Sequence, residues 1–267
     1  MFPMRGATHR IQENLASLRA RMDAARLRSP HAAPHCDLLV VSKSVPTWMF
    51  GPLAAAGVGA VGENRVQPAA ARKAEGPPEW TWHGIGHLQR NKAKLAVETF
   101  DVFHALDSLR LAEHLEGVLG SIGRRWPVYL QVNTAGDPAK GGFPPDGVPE
   151  ALAALQALPH LELVGFMTMG RLGAAKRDQR ATFRTLRAVR DEAVRPDGGF
   201  ASAVGLSMGM TDDFEIAVEE GATVVRVGRA VFEGIPTTEA EARGLGGIET
   251  DGNSSSTETH REHREPR

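Results

Sequence analysis

Short apolar runs return along this chain at near-regular intervals, each followed by a stretch of helical spacing, and that rhythm limits the folds open to it. The runs are "DLLVVS" (37–42), "VGAVG" (58–62), "WTWHGIG" (80–86), "VFHAL" (102–106), "VYLQVN" (128–133), "LELVGFMTM" (161–169), "ASAVGLS" (201–207) and "ATVVRVG" (222–228). Helices are expected between them over 47–56, 64–74, 88–97, 108–120, 147–157, 177–194 and 212–220. Such alternation implies right-handed crossovers and a parallel sheet, because parallel neighbours need a long connection that packs back on the sheet. Eight units in 267 residues predict an α/β fold, a single (β/α)8 TIM barrel, with a doubly wound open sheet as the competitor. An extra amphipathic helix precedes them at 8–29, where Ile11, Leu15, Leu18 and Met22 recur on one side. The barrel domain is expected over residues 1–235. Residues 236–267 are polar and are expected to form a disordered tail.

Charge excludes several partners. With 24% charged residues and a formal net charge of −1, no global field draws nucleic acid or an anionic membrane. No run reaches the length that spans a bilayer, and "MFPMRGATHR" lacks the apolar centre of a signal peptide. Lone Cys36 fits a reducing compartment, so a cytoplasmic location is expected. His83 and His87 stand four apart, but the glycines of "HGIGH" argue against a helical ligand pair, and no metal site is expected. Arg90, Lys92 and Lys94 read as a solvated helix face rather than a nucleic-acid stripe.

In a barrel of this type, functional groups gather at the carboxyl ends of the strands. Lys43 follows the first, Glu63 and Asn64 the second, His83 and Gly86 the third, and Asp107 and Ser108 the fourth. Asn133 ends the fifth, Met167 and Thr168 the sixth, Ser207, Met208 and Gly209 the seventh, and Arg226 and Gly228 the eighth. A lysine after an apolar strand is usually a solvated cation. Here Leu39, Val41 and Lys43 share one strand face, as do Val224, Arg226 and Gly228, and the first and last strands of a closed barrel adjoin. A cation beside a lysine favours the neutral amine that condensation with an aldehyde requires. The loops "SMGMTDDF" and "VGRAVFEG" occupy the recurrent phosphate position of these barrels, where backbone N–H groups and a helix start face the rim. Asp212 and Asp213 would repel a phosphate. Asp212 as a helix N-cap, with Glu215 three residues on, would turn the carboxylates aside and leave Ser207 and Gly209 to the ligand. Asn64 has a plain alternative role as a helix cap, and Asn133 as a loop tie. An aldehyde that carries a phosphate describes pyridoxal 5′-phosphate.

The motifs "VVSKSVP", "GENRVQ", "WHGIGHLQRNK", "HALDS", "VNTAGDPAKGGF", "GFMTMG" and "SMGMTDDFEIAVEEGATVVRVGRAVFEG" follow one another between about residues 11 and 234. In that order they resemble the YggS/PROSC family of pyridoxal phosphate homeostasis proteins. The resemblance implies an alanine-racemase-like barrel that binds pyridoxal 5′-phosphate as an aldimine on Lys43. It also implies cofactor-binding roles for Asn64, Met167, Ser207, Met208, Gly209, Arg226, Gly228 and Arg229. The implied function is intracellular buffering and delivery of the cofactor, without catalytic residues, in a monomer whose partners are cofactor-dependent apo-enzymes. Two positions depart from the family pattern. Arg229 stands where a small hydroxyl residue is usual, so a phosphate contact is lost or replaced by a charged one. Gly84 stands where a bulky residue is usual, which predicts extra space or flexibility on the third strand.

A pyridoxal-phosphate-dependent amino-acid racemase is the alternative. Such an enzyme needs a second acid–base group opposite the lysine, usually a tyrosine from an additional β domain. Tyr129 is the single tyrosine, early in the fifth strand, and no β-rich stretch follows residue 234. An arginine facing the pyridine nitrogen would also leave the ring a poor electron sink.

Overall fold

The computed structural model describes residues 4–236 apart from Asp197. The expected C-terminal tail therefore lies outside the described residues. The strands β1 (Asp37–Val41), β2 (Ala60–Glu63), β3 (Thr81–Gly84), β4 (Val102–Leu106), β5 (Trp126–Gln131), β6 (Leu161–Met167), β7 (Gly205–Ser207) and β8 (Val224–Val227) close into one barrel in sequence order. Parallel pairing of β1 with β8 makes the seam, with Leu39 opposite Arg226 and Val40 opposite Val227. The barrel is closed, which sets aside the open sheet.

Helix α1 (Met4–Leu27) precedes the strands, and α2 (Phe50–Ala55), α3 (Val66–Glu75), α4 (Ala93–Thr99), α5 (Leu109–Ile122), α6 (Val148–Leu155), α7 (Lys176–Ala193) and α8 (Phe214–Glu219) connect them. After β8 the described chain has only a short 3-10 turn, Arg229–Phe232. Helix α1 packs against α2, α8 and that turn, so the expected addition to the barrel supplies its eighth helical position. Ala7, Ile11, Leu15, Leu18, Met22 and Ala25 recur three to four residues apart and are all buried. On its flanks Arg21 donates to Glu215 (2.7 Å) and Arg28 to Glu219 (2.9 Å). The side chain of Asn14 donates to the carbonyls of Val231 and Glu233, tying the first helix to the chain leaving β8.

Between strands and helices the shell is apolar, with Trp82, Trp126, Phe103, Phe166, Phe183 and Phe214 fully buried. Inside the barrel, Leu39, Ile85 and Val224 form a small apolar plug. Beside it the interior is polar, and two glycines explain how. A Cβ on Gly165 would fall 2.2 Å from the Gly205 carbonyl, and one on Gly205 would fall 2.8 Å from the Tyr129 ring. Their absence admits that ring to the interior. β7 is shorter than the expected 201–207, because Ala203 donates to the Phe200 carbonyl and closes a turn first.

Candidate functional site

Lys43 lies in the turn that leaves β1 and is exposed at the C-terminal mouth of the barrel. Across the seam the chain leaves β8 at Gly228. A Cβ there would stand 3.2 Å from the Val41 carbonyl, so this loop runs tightly against the strand that carries Lys43.

The loop after β7 turns at Gly209, whose φ of +92° favours glycine and whose added Cβ would meet Ala217 Cβ at 2.5 Å. Its carbonyl accepts from Arg226 N–H, which fastens the loop to β8. Among the described residues, the amide N–H groups of Gly209, Gly228 and Arg229 find no acceptor. Two loops at one rim thus carry unpaired donors, an arrangement suited to an anion. The expected N-cap is off by one residue, because α8 begins at Phe214 and Asp213 takes the position before it. Buried Asp213 accepts from Met210 N–H at 2.6 Å, and burial raises its pKa. Asp212 instead pairs with Arg229 at 2.6 Å across the two loops, both side chains being exposed. Arg229 has its own carboxylate partner, and what it offers the rim is its backbone N–H. Thr211 is on the same loop, and its hydroxyl has no partner among the described residues. Sequence reasoning did not single it out.

Arg226 is buried inside the barrel, and its Nη atoms donate to Ser207 Oγ (2.7 Å) and the Thr168 carbonyl (2.8 Å). Burial lowers its pKa to about 10, against the opposing charges of Asp213 and Tyr129. It therefore remains a cation, and its Nε–H donates to no described residue. Ser207 is fully buried, with its hydroxyl placed between Arg226 and His104 Nδ1 (2.8 Å). His104 Nε2 meets His83 Nδ1 at 2.9 Å, and the His104 ring stacks on Tyr129 at 4.3 Å. An arginine only donates, so one direction gives every proton an acceptor: Arg226 to Ser207, Ser207 to His104, His104 to His83. His83 points into the barrel and borders a cavity at the N-terminal mouth with Asp37 and Val224, away from the rim where it was expected.

Both histidines are neutral at pH 7. Burial lowers the pKa of His83 to about 4, and burial, with His83 and the Arg226 charge beside it disfavouring a further cation, lowers that of His104 well below its usual value. In the unfolded chain a histidine titrates near about 6.5, so below that pH the unfolded state binds more protons. Their contribution is complete above about pH 6.5 and is lost as pH falls, through about 4 for His83. Urea midpoints between these limits are expected to fall less steeply in His83→Gln and His104→Gln. Unchanged slopes would assign the acid loss to carboxylates.

The remaining rim residues divide. Asn64 does not cap α3, whose N-cap position is Arg65, and its side chain has no partner among the described residues. Gly86 presses on its backbone so closely that a Cβ would lie 2.3 Å from the Asn64 carbonyl. Asn133 is a loop tie, donating to the carbonyls of Asp137 and Lys140. Met167 is fully buried between Gln131 and Ser207 on neighbouring strands, and Met208 is fully buried in the apolar shell. The space expected at Gly84 does not exist, because a Cβ there would fall 2.6 Å from the buried Phe100 ring. Lys140 is a further cation at this rim. It donates to the Gly170 carbonyl, and its pKa is lowered by partial burial.

A family model for the alanine racemase N-terminal domain matches residues 8–236. The pyridoxal phosphate homeostasis protein of Aquifex aeolicus is 34% identical over 221 residues, covering 82% of this chain and 96% of that one. Its counterpart from Pseudomonas aeruginosa is 35% identical, covering 83% and 94%. The chain belongs to the family of pyridoxal phosphate homeostasis proteins. Among solved structures, PipY of Synechococcus elongatus PCC7942 is 38% identical over 83% of this chain and 99% of its own. The TM-score is 0.75 to PipY without PLP and 0.73 to PipY with PLP bound.

Proposed function

We propose that this protein binds pyridoxal 5′-phosphate at the C-terminal rim of its barrel and acts as a cytoplasmic buffer and donor of the cofactor. The observation that carries this reading is the convergence, on one rim, of an exposed lysine, two loops with unpaired N–H groups and a buried guanidinium. These residues fit the group: a phosphate needs donors, an aldehyde needs an amine, and a neutral ring nitrogen needs a donor. When bound, the cofactor supplies an aldehyde carbon that joins a primary amine, its oxygen leaving as water with two amine protons. Lys43 provides that amine. The N–H groups of Gly209, Gly228 and Arg229 would hold the phosphate, with Thr211 beside them, and Asn64, the residue after β2, would contact the ring. Arg226 would donate to the ring nitrogen and, being a cation, would disfavour its protonation. Ser207, His104 and Thr168 hold that guanidinium in place.

The same features disfavour a racemase. Tyr129 is stacked on His104 within the barrel, so it does not face Lys43 as a second base. A ring nitrogen beside Arg226 is a weak electron sink compared with one paired to a carboxylate. The relatives are named as homeostasis proteins, which supports a carrier over a racemase; in this reading it acts as a monomer towards cofactor-free enzymes. Among the described residues no helix is long and apolar enough to cross a membrane. Loaded protein mixed with a cofactor-free acceptor enzyme is expected to restore the acceptor's activity, whereas L-amino acids scored by chiral chromatography should invert no faster than with free cofactor. Rapid inversion of alanine or serine that disappears in Lys43→Ala would replace the carrier by the racemase.

A further inference from the structure

The turn that carries Lys43 belongs to no helix or strand, yet its backbone is held at both ends by a single side chain. Ser42 N–H donates to the Gly62 carbonyl and Val45 N–H to the Ser42 carbonyl, which closes the turn on itself. The carbonyls of Ser42 and Val45 also accept from Arg72 on α3, from Nη2 at 3.0 Å and Nη1 at 2.7 Å. They flank Lys43, one residue before it and two after. The third side of the guanidinium is taken by Glu63 at the end of β2, with Nε to Oε1 at 3.0 Å. That same oxygen accepts from the Ser42 hydroxyl at 2.7 Å. The Phe50 ring lies under the guanidinium, 4.7 Å from its carbon. Glu63 is buried and Arg72 is only 14% exposed, so water competes little for these bonds.

A lysine amine hangs on four rotatable bonds, and its placement depends on the backbone that bears it. A planar guanidinium can satisfy three acceptors in one plane, which a lysine ammonium on a flexible stem cannot reproduce. We propose that Arg72, with Glu63 as its counter-charge, is a positioning residue that locks the Lys43 turn so that the amine meets the cofactor's aldehyde carbon. Arg72 acts through the carbonyls of Ser42 and Val45. The inference rests on the reading that Lys43 is the reacting amine.

The test separates covalent capture from non-covalent binding by using two probes, pyridoxal 5′-phosphate and pyridoxine 5′-phosphate, which has an alcohol in place of the aldehyde. In Arg72→Gln the visible band is expected to grow about tenfold more slowly on mixing with pyridoxal 5′-phosphate, since misplacement of a reacting group costs rate steeply. Affinity for pyridoxine 5′-phosphate should be unchanged, and in the ligand-free protein the amides of Lys43, Ser44 and Val45 should exchange hydrogen faster. Arg72→Lys keeps the charge and carries the test if Arg72→Gln does not fold; it should remain about threefold slow. A wild-type rate in Arg72→Gln, full rescue by lysine, or equal weakening of both probes would overturn the clamp. A borohydride label on another lysine in the wild-type protein would overturn the reading of Lys43 instead, and the clamp's role in capture with it.

Discussion

Lys43→Ala is expected to fold normally and to lose all covalent capture of pyridoxal 5′-phosphate. The lysine is exposed in a turn, makes no hydrogen bond or ion pair among the described residues, and contributes nothing to the apolar shell. Its removal should therefore change stability by no more than about 0.5 kcal/mol, the usual range for a surface substitution away from special features. Covalent capture has no such tolerance, because no other group at the rim combines an exposed amine with this position. Lys140 is committed to the Gly170 carbonyl, so it is the lysine against which the assignment is best tested. Borohydride reduction and peptide mapping should place the pyridoxyl label on Lys43 in the wild-type protein and find almost none in Lys43→Ala. A label that stays, on Lys140 or elsewhere, would move the amine. Weak non-covalent binding should survive in the variant, because the phosphate loops do not depend on Lys43.

The barrel was legible because strands buried on both faces read as continuous apolar runs, and eight such runs in one order leave few topologies. The role of α1 was not, since its stripe of Ile11, Leu15, Leu18 and Met22 says that a face is buried but not which strands it covers. At the candidate site, the placement of Lys43, Gly209, Arg226 and Gly228 around one rim could be read from strand ends and from the glycines of two loops. Ser207 was found for a role its burial does not support directly: its hydroxyl serves Arg226 and His104. His104 is 103 residues away in sequence from Ser207, and local periodicity carries no information about such a partner. Gly84 was misread for a similar reason. A missing side chain suggests space, but Phe100, from the segment after α4, fills it. The Arg72 clamp was invisible too, because an arginine on a helix reads as solvated until its acceptors are known.

Pyridoxal without its phosphate should bind at least about 100-fold more weakly than pyridoxal 5′-phosphate, as expected if two or more charge-assisted hydrogen bonds of about 1.5–3 kcal/mol each are lost. The donors are the N–H groups of Gly209, Gly228 and Arg229, which find no acceptor among the described residues. Gly228→Val provides the internal control. A Cβ at 228 would stand 3.2 Å from the Val41 carbonyl and 3.4 Å from its Cβ, so the loop must shift away from β1 and carry its amide with it. The penalty at this position is crowding against β1. Loss of affinity in this variant should therefore fall on the phosphorylated ligand and nearly spare pyridoxal, which has nothing for the loop to hold. Titration of both proteins with both ligands gives four affinities, and the coupling between loop and phosphate is the ratio of ratios. A ratio near one would mean that these amides do not hold the phosphate, even if Lys43 takes the aldehyde.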